Sequence, residues 1–241
     1  MVSKIEKGIA KLLPAGIRKK VIQNYLNDNK ASLSYSNEGE DMVLAKFFFG
    51  QKNGFYVDIG AHHPSRFSNT RHFYDMGWKG INIDAQPGSM LLFNKERARD
   101  INLEIPVAEK EEDLVYYIFN EPALNGFSKE ISEQRDGINA WKIVKEINLR
   151  TLPLSAILDR HLPPGQPIDF LTIDVEGLDL SVLKSNNWDK FRPSIVVVED
   201  LKNLPLAEIS DGEVYNYLKS KGYYLAAKSF YTLIFCENLF K

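Results

Sequence analysis

A single cysteine, Cys236, stands in 241 residues. That excludes an internal disulfide framework and fits a reducing compartment. No apolar run approaches the roughly 18–20 residues needed to span a bilayer. The N-terminus has no compact apolar block followed by a cleavage site, so a cytoplasmic location is expected. Charge of one sign is not in excess: 30 Lys and Arg against 32 Asp and Glu leave a net −2. A general nucleic-acid binder usually carries a strong positive surplus, and nucleic acid is not an expected partner. Internal repeats and low-complexity tracts are also absent. What is present is a chain 44% apolar, long enough for one full core or for one domain with an extension.

The charge is unevenly placed. Residues 1–30 hold Lys4, Lys7, Lys11, Arg18, Lys19, Lys20 and Lys30 against Glu6 and Asp28, a local +5 that leaves −7 for the rest. Ile5, Ile9, Leu12 and Leu13 recur at helical spacing, as do Ile17, Val21, Ile22, Tyr25 and Leu26 after Pro14. Two readings stand for this basic helical extension over 1–34. One is a cap with a solvated basic face; the other is a peripheral contact with an anionic membrane.

From residue 53 onward, strand-like and helix-like patterns alternate. "GFYVDIG" (54–60), "KGINIDA" (79–85), a segment near 102–108, "LVYYIF" (114–119), "IDFLTIDVEG" (168–177) and "PSIVVVED" (193–200) read as strands. Helices are expected at 68–77, 88–99, the latter part of 151–161, "LDLSVLKSN" and 213–221, with 120–140 as a loop-rich excursion over the ligand face. The run Phe47-Phe48-Phe49 reads as core. The closing "YYLAAKSFYTLIFCEN" reads as a hairpin. The pattern predicts an α/β fold: a mainly parallel sheet with helices on both faces and an antiparallel strand at its far end.

In such sheets ligands bind beyond the carboxyl ends of the strands. Asp58 and Gly60 close the first core strand, and Gly60 suits a tight turn. The second glycine that lets a pyrophosphate press on the backbone is missing, since His62 stands there. A nicotinamide dinucleotide is therefore a poor fit. S-adenosylmethionine has no phosphate. Asp58 can hold its ammonium group, the Ser68-Asn69-Thr70 cap can supply donors to its carboxylate, and Asp84 can accept its ribose hydroxyls.

These residues resemble the FkbM-type methyltransferases. The resemblance is carried by "YSNEGEDMVL" (35–44), "VDIGAHHPSRFSNT" (57–70), "GWKGINIDAQP" (77–87), "IDFLTIDVEGLDLSVL" (168–183) and "PSIVVVE" (193–199), and covers about residues 35–236. It departs from the family at His62-His63, where Asn-Asp or a similar pair is common, and at Asn37, where Gln is usual. The resemblance implies a Rossmann-like class I methyltransferase domain over 35–241. It further implies methyl transfer from S-adenosylmethionine, commonly to a hydroxyl of a sugar or polyketide-like molecule. By position, Asp58, Gly60, Ser68 and Thr70 would surround the methionine end, Asp84 the ribose, and Ala108 and Glu109 the adenine.

A hydroxyl acceptor must lose its proton to a base or a metal. Asp174, Glu176, Glu199 and Asp200 cluster at the ends of two neighbouring strands. One arrangement is a Mg²⁺ site of Asp174, Glu199 and Asp200, oxygen ligands suited to that ion. The other has Asp174 and Glu176 binding acceptor hydroxyls, with Glu176 or His62 as base and Asp200 a loop residue. His63 is expected to hydrogen-bond loop backbone. The alternative to an enzyme is a binding or scaffold protein that keeps the fold without catalysis.

Overall fold

A computed structural model describes residues 31–237, together with Ile17 and Asn24. The chain divides into two units, Met1–Ser34 and Tyr35–Lys241. The expected basic helices and the membrane-facing segment of residues 1–30 lie outside the described residues, apart from Ile17 and Asn24. Among the described residues, no helix is long and apolar enough to cross a membrane.

In chain order the second unit contains α1 (Glu40–Phe47), β1 (Phe55–Ile59), α2 (Arg71–Asp75), β2 (Lys79–Asp84), α3 (Met90–Glu96), β3 (Ile101–Glu104) and β4 (Asp113–Phe119). These are followed by α4 (Lys129–Arg135), β5 (Ile143–Arg150), α5 (Leu154–His161), β6 (Phe170–Ile173), α6 (Asp179–Ser185), β7 (Ile195–Glu199), α7 (Glu213–Ser220), β8 (Tyr224–Lys228) and β9 (Thr232–Cys236). The main sheet runs β3-β2-β1-β6-β7-β9-β8. Its first five strands are parallel, and β9 joins β7 antiparallel, closing the hairpin with β8. The expected mainly parallel α/β sheet with an antiparallel end is what the chain forms.

The strands are apolar on both faces because both faces are covered. Val57, Ile59, Ile83, Leu171, Ile173 and Val198 point to one side, where α5, α6 and α7 bring Leu158, Val182 and Leu218. Tyr56, Phe170, Ile195 and Val197 point to the other, against Leu44 of α1 and Phe73 of α2. This is the period-two alternation of a strand, read with apolar residues at both phases. Phe48 packs in this second core, but Phe49 is 88% exposed. The three-phenylalanine run therefore contributes unevenly to the core, since successive helix-end residues point in different directions.

Two further differences bear on the site. The helix expected over 68–77 is only α2, because Ser68 and Thr70 are used in hydrogen bonds before it. The excursion is also more ordered than a loop: it contains α4, and β4 pairs with β5 as a separate antiparallel ribbon.

Chain order places the ligand end. The winding runs outward from β1 through β2 to β3, then returns to pair β6 against β1 on the other side. The reversal lies between β1 and β6, so a crevice opens beyond Ile59 and Ile173, which are paired in register.

Candidate active site

Gly60 follows β1 with φ 79°, and its amide donates to the Ile83 carbonyl at 2.9 Å. The Asp174 amide, just past β6, donates to the Ile59 carbonyl at 3.0 Å. These two backbone contacts bring the Gly60 turn and the Asp174 loop together at the switch point. They form part of the wall of a cavity of about 360 Å³, within the range of small-molecule sites.

Asp84 ends β2 in the cavity wall. Its Oδ2 accepts the His62 amide and its Oδ1 the Gln86 amide, each at 2.8 Å. Burial raises its pKa, and the two amides oppose that rise. Ile83, Ile105 and Val107 form an apolar part of the wall. His62 has the left-handed φ of 51°, and its Nε2 is buried without a hydrogen-bond partner. Burial first, then the neighbouring Arg66 and His63 charges, lower its pKa to about 4, so the imidazole is neutral. His63 does hydrogen-bond loop backbone: its Nδ1 accepts the amides of Ser65 at 3.1 Å and Arg66 at 3.0 Å.

The other residues assigned to the cofactor are placed differently. Asp58, Ser68, Asn69 and Thr70 do not line the cavity. Thr70 donates its hydroxyl to Asp58 at 2.7 Å, Ser68 Oγ accepts the Arg71 amide at 3.1 Å, and Asn69 reaches Thr172 at 3.0 Å. Burial pushes Asp58 up to about 6. Behind them lies Arg97, whose guanidinium donates to the Pro64 carbonyl at 2.9 Å, Thr70 at 2.8 Å, Tyr56 at 2.9 Å and Asp100 at 3.1 Å. These residues brace the loop between β1 and α2 from inside. Ala108 is buried and donates its amide to Leu152 at 3.2 Å, while the Glu109 amide donates to Ser181 at 2.9 Å. Neither residue lines the cavity, whose wall includes Val107.

At the other end of the cavity, Asp174, Glu176 and Glu199 bring carboxylate oxygens within 4.8 Å of one another. Like charges this close disfavour full ionisation of the group. Asp174 is exposed to the cavity, yet the protein packed around it, then Glu176 and Asp179, push its pKa well up. Burial, then Asp174, raises Glu199 as well. Glu199 Oε2 is buried without a partner. Asp200, included with Asp174 and Glu199 in the metal set expected from sequence, does not line the cavity. Its Oδ1 accepts the Lys202 amide at 3.2 Å in the turn after β7. The set that geometry brings together is Asp174, Glu176 and Glu199.

Glu176 has φ 54°, and Arg135 of α4 reaches it at 2.5 Å with both side chains largely buried, at 22% and 15% exposure. Burial raises Glu176, and Arg135 opposes the rise. The excursion is tied at two further points, Asn125 to Gln86 at 2.8 Å and Arg66 to Glu121 at 2.8 Å. It thus forms a roof fastened to the loops after β1, β2 and β6. Phe127 and Trp141 from this roof, and Asn37 from before α1, complete the wall. Asn37 had signalled itself only as a departure from the family pattern. Glu121, Arg135 and Trp141 carry no motif, and Arg66 lies within the 57–70 motif without having been singled out.

A cavity with five lining carboxyl groups, no lysine, and Arg66 already paired does not suit a pyrophosphate. It does fit a cationic, phosphate-free nucleoside: Asp84 stands beside an apolar slot, and an anionic floor meets a close-packed glycine turn. Residues 58–225 match the model of the methyltransferase FkbM domain. The chain belongs to that methyltransferase family, and S-adenosylmethionine is the methyl donor the family implies. Among solved structures, the chain is similar to a TehB-like SAM-dependent methyltransferase from Corynebacterium glutamicum. The two are 8% identical with a TM-score of 0.38, over 91% of this chain and 97% of that one. No curated protein matches the chain.

Proposed function

We propose that the protein transfers the methyl group of S-adenosylmethionine to a hydroxyl oxygen of a sugar, glycolipid or secondary metabolite. The observation that carries this reading is the carboxylate group Asp174, Glu176 and Glu199, within 4.8 Å of one another and set against the Gly60 turn in the same cavity. In this reading Gly60 meets the methionine end of the donor, Asp84 accepts the ribose hydroxyls, and Ile83, Ile105 and Val107 flank the adenine. Asp58, Ser68, Asn69 and Thr70 act from behind by holding the loop.

When bound, S-adenosylmethionine supplies an electrophilic methyl carbon whose bond to sulfur breaks, with the electron pair, as the acceptor oxygen attacks in line. The chain has to align that oxygen, exclude water and take its proton. Asp174 is placed to receive the proton because burial and its acidic neighbours raise its proton affinity. Glu199 holds Asp174 in position, and Glu176, balanced by Arg135, accepts a hydrogen bond from a neighbouring hydroxyl. His62, neutral and with a free Nε2, is the alternative acceptor for that proton.

A second reading places a divalent cation such as Mg²⁺ among Asp174, Glu176 and Glu199, favoured by their proximity and by the unpartnered Glu199 Oε2. Stabilisation of the protein by Mg²⁺ that Glu199→Gln abolishes would support it. Residues 1–30 would bring the protein to lipid-linked sugars at an anionic surface of the cytoplasmic membrane. Vesicle co-sedimentation with and without those residues tests that contact.

Methyl-labelled donor incubated with hydroxylated and aminated sugars and glycolipids tests the main reading. The expected product carries label in an ether linkage, and Asp174→Asn loses the transfer while retaining S-adenosylhomocysteine. Label found on nitrogen would overturn O-methylation. Donor binding without transfer to any acceptor would favour a scaffold.

A further inference from the structure

Asp84, Glu121, Asp174, Glu176 and Glu199 all line one cavity, and among the described residues Arg66 is the one Lys or Arg that lines it. That arginine is engaged at the rim by Glu121. Arg135 reaches in from outside the wall but is engaged by Glu176. Among the described residues, no cation makes a hydrogen bond to Asp174 or Glu199. Asp174 is also the residue whose backbone packs on Gly60, so the uncompensated acids lie directly beside the cofactor turn.

S-adenosylmethionine carries a sulfonium and an ammonium against one carboxylate, a net +1. Its demethylated product, S-adenosylhomocysteine, has a neutral thioether in place of the sulfonium and a net charge of zero. Adenine, ribose and amino-acid contacts are the same for both, so they cancel in a comparison of the two affinities. What remains is the response of the cavity floor to one positive charge. We infer that Asp174 and Glu199 discriminate the methyl donor from its product by charge, so that transfer of the methyl group itself loosens the product's hold on the cavity. The inference rests on the proposed donor reading and adds to it a cause for product release.

The attraction is Coulombic in a site only partly open to water, where one charge at contact range is worth more than at a surface.

Isothermal titration of the full chain with S-adenosylmethionine, S-adenosylhomocysteine and sinefungin, which carries an amine in place of the methylsulfonium, tests this. The two cationic ligands are expected to bind at least about tenfold more tightly than S-adenosylhomocysteine, equivalent to about 1.4 kcal/mol. In Asp174→Asn/Glu199→Gln the preference should shrink to about twofold with S-adenosylhomocysteine affinity retained. S-adenosylhomocysteine binding as tightly as the donor in the wild-type protein overturns the inference, and that comparison needs no variant to fold. A tenfold preference that survives in the variant overturns its assignment to these residues. Failure of all three ligands to bind would contradict the donor reading instead.

Discussion

The backbone carbonyl oxygen of Asp174 lies 1.7 Å from where a Cβ on Gly60 would be. No side chain fits there, and φ 79° disfavours one independently. The glycine of the first motif is thus required by the loop after β6 as well as by any ligand. Gly60→Ala should destabilise the protein by about 3 kcal/mol or more, from overlap plus backbone strain. It should also abolish stabilisation by S-adenosylhomocysteine. Denaturant unfolding with and without that ligand measures both effects.

Arg97 and Asp100 form a salt bridge at 3.1 Å with both side chains wholly buried. Removing the cation strands a buried carboxylate, so Arg97→Met should cost about 3–5 kcal/mol. Tyr56→Phe, which removes one hydrogen-bonded hydroxyl from the same group, should cost only about 1 kcal/mol. The two changes should be non-additive in a double-mutant cycle, because both partners meet Arg97.

Two arginines tie the roof, and they should differ. Arg66 meets Glu121 with side-chain exposures of 44% and 33%, and Arg66→Met should change stability by less than about 1 kcal/mol. Arg135→Met leaves Glu176 largely buried and unbalanced beside Asp174, and should cost about 1–3 kcal/mol. Comparison of denaturation midpoints decides between them.

Glu199 keeps its proton in the folded protein because of burial and the facing Asp174, Glu176 and Asp179, with Arg135 opposing weakly. A carboxyl group whose folded pKa is raised stabilises fully below its unfolded pKa of about 4.3, and that contribution is lost as pH rises toward the folded value. Asp58, raised to about 6, and Asp179, raised to about 7, act in the same direction. Glu199→Gln carries no proton to lose. Its melting temperature should match wild type near pH 5 and exceed it by a few degrees at pH 8, provided no cation is added. A deficit that grows with pH would contradict the assigned protonation.

The strands carrying the site were legible because they are buried on both faces. "FYVDI", "INID", "FLTI" and "IVVVE" are short apolar runs ended by glycine or an acid, and such runs need no partner to be recognised. The β5 strand was not legible: its Ile143, Ile147 and Leu149 are interrupted by Lys145, Glu146 and Asn148, and its partner β4 lies across a long excursion. The same reason hid the roof residues. Arg135 meets Glu176 across sequence-distant elements, with Ile131 of the same helix 2.3 Å from where a Cβ on Gly177 would be, and no local pattern encodes that contact. The DxG turn and the strand-end acids were visible as chemistry. Which of them face the cavity depended on Arg97, whose role as a buried brace is set by residues 27 and 41 positions away.

The most direct test is thermal unfolding with S-adenosylhomocysteine, beside an Asp84→Ala variant. Ligand at about 100 times its dissociation constant should stabilise by about 2.7 kcal/mol, a rise of roughly 2–4 °C per kcal/mol. That rise is expected in the wild-type protein, and its loss in the variant. No rise at saturating ligand, or an equal rise without Asp84, would contradict the donor reading.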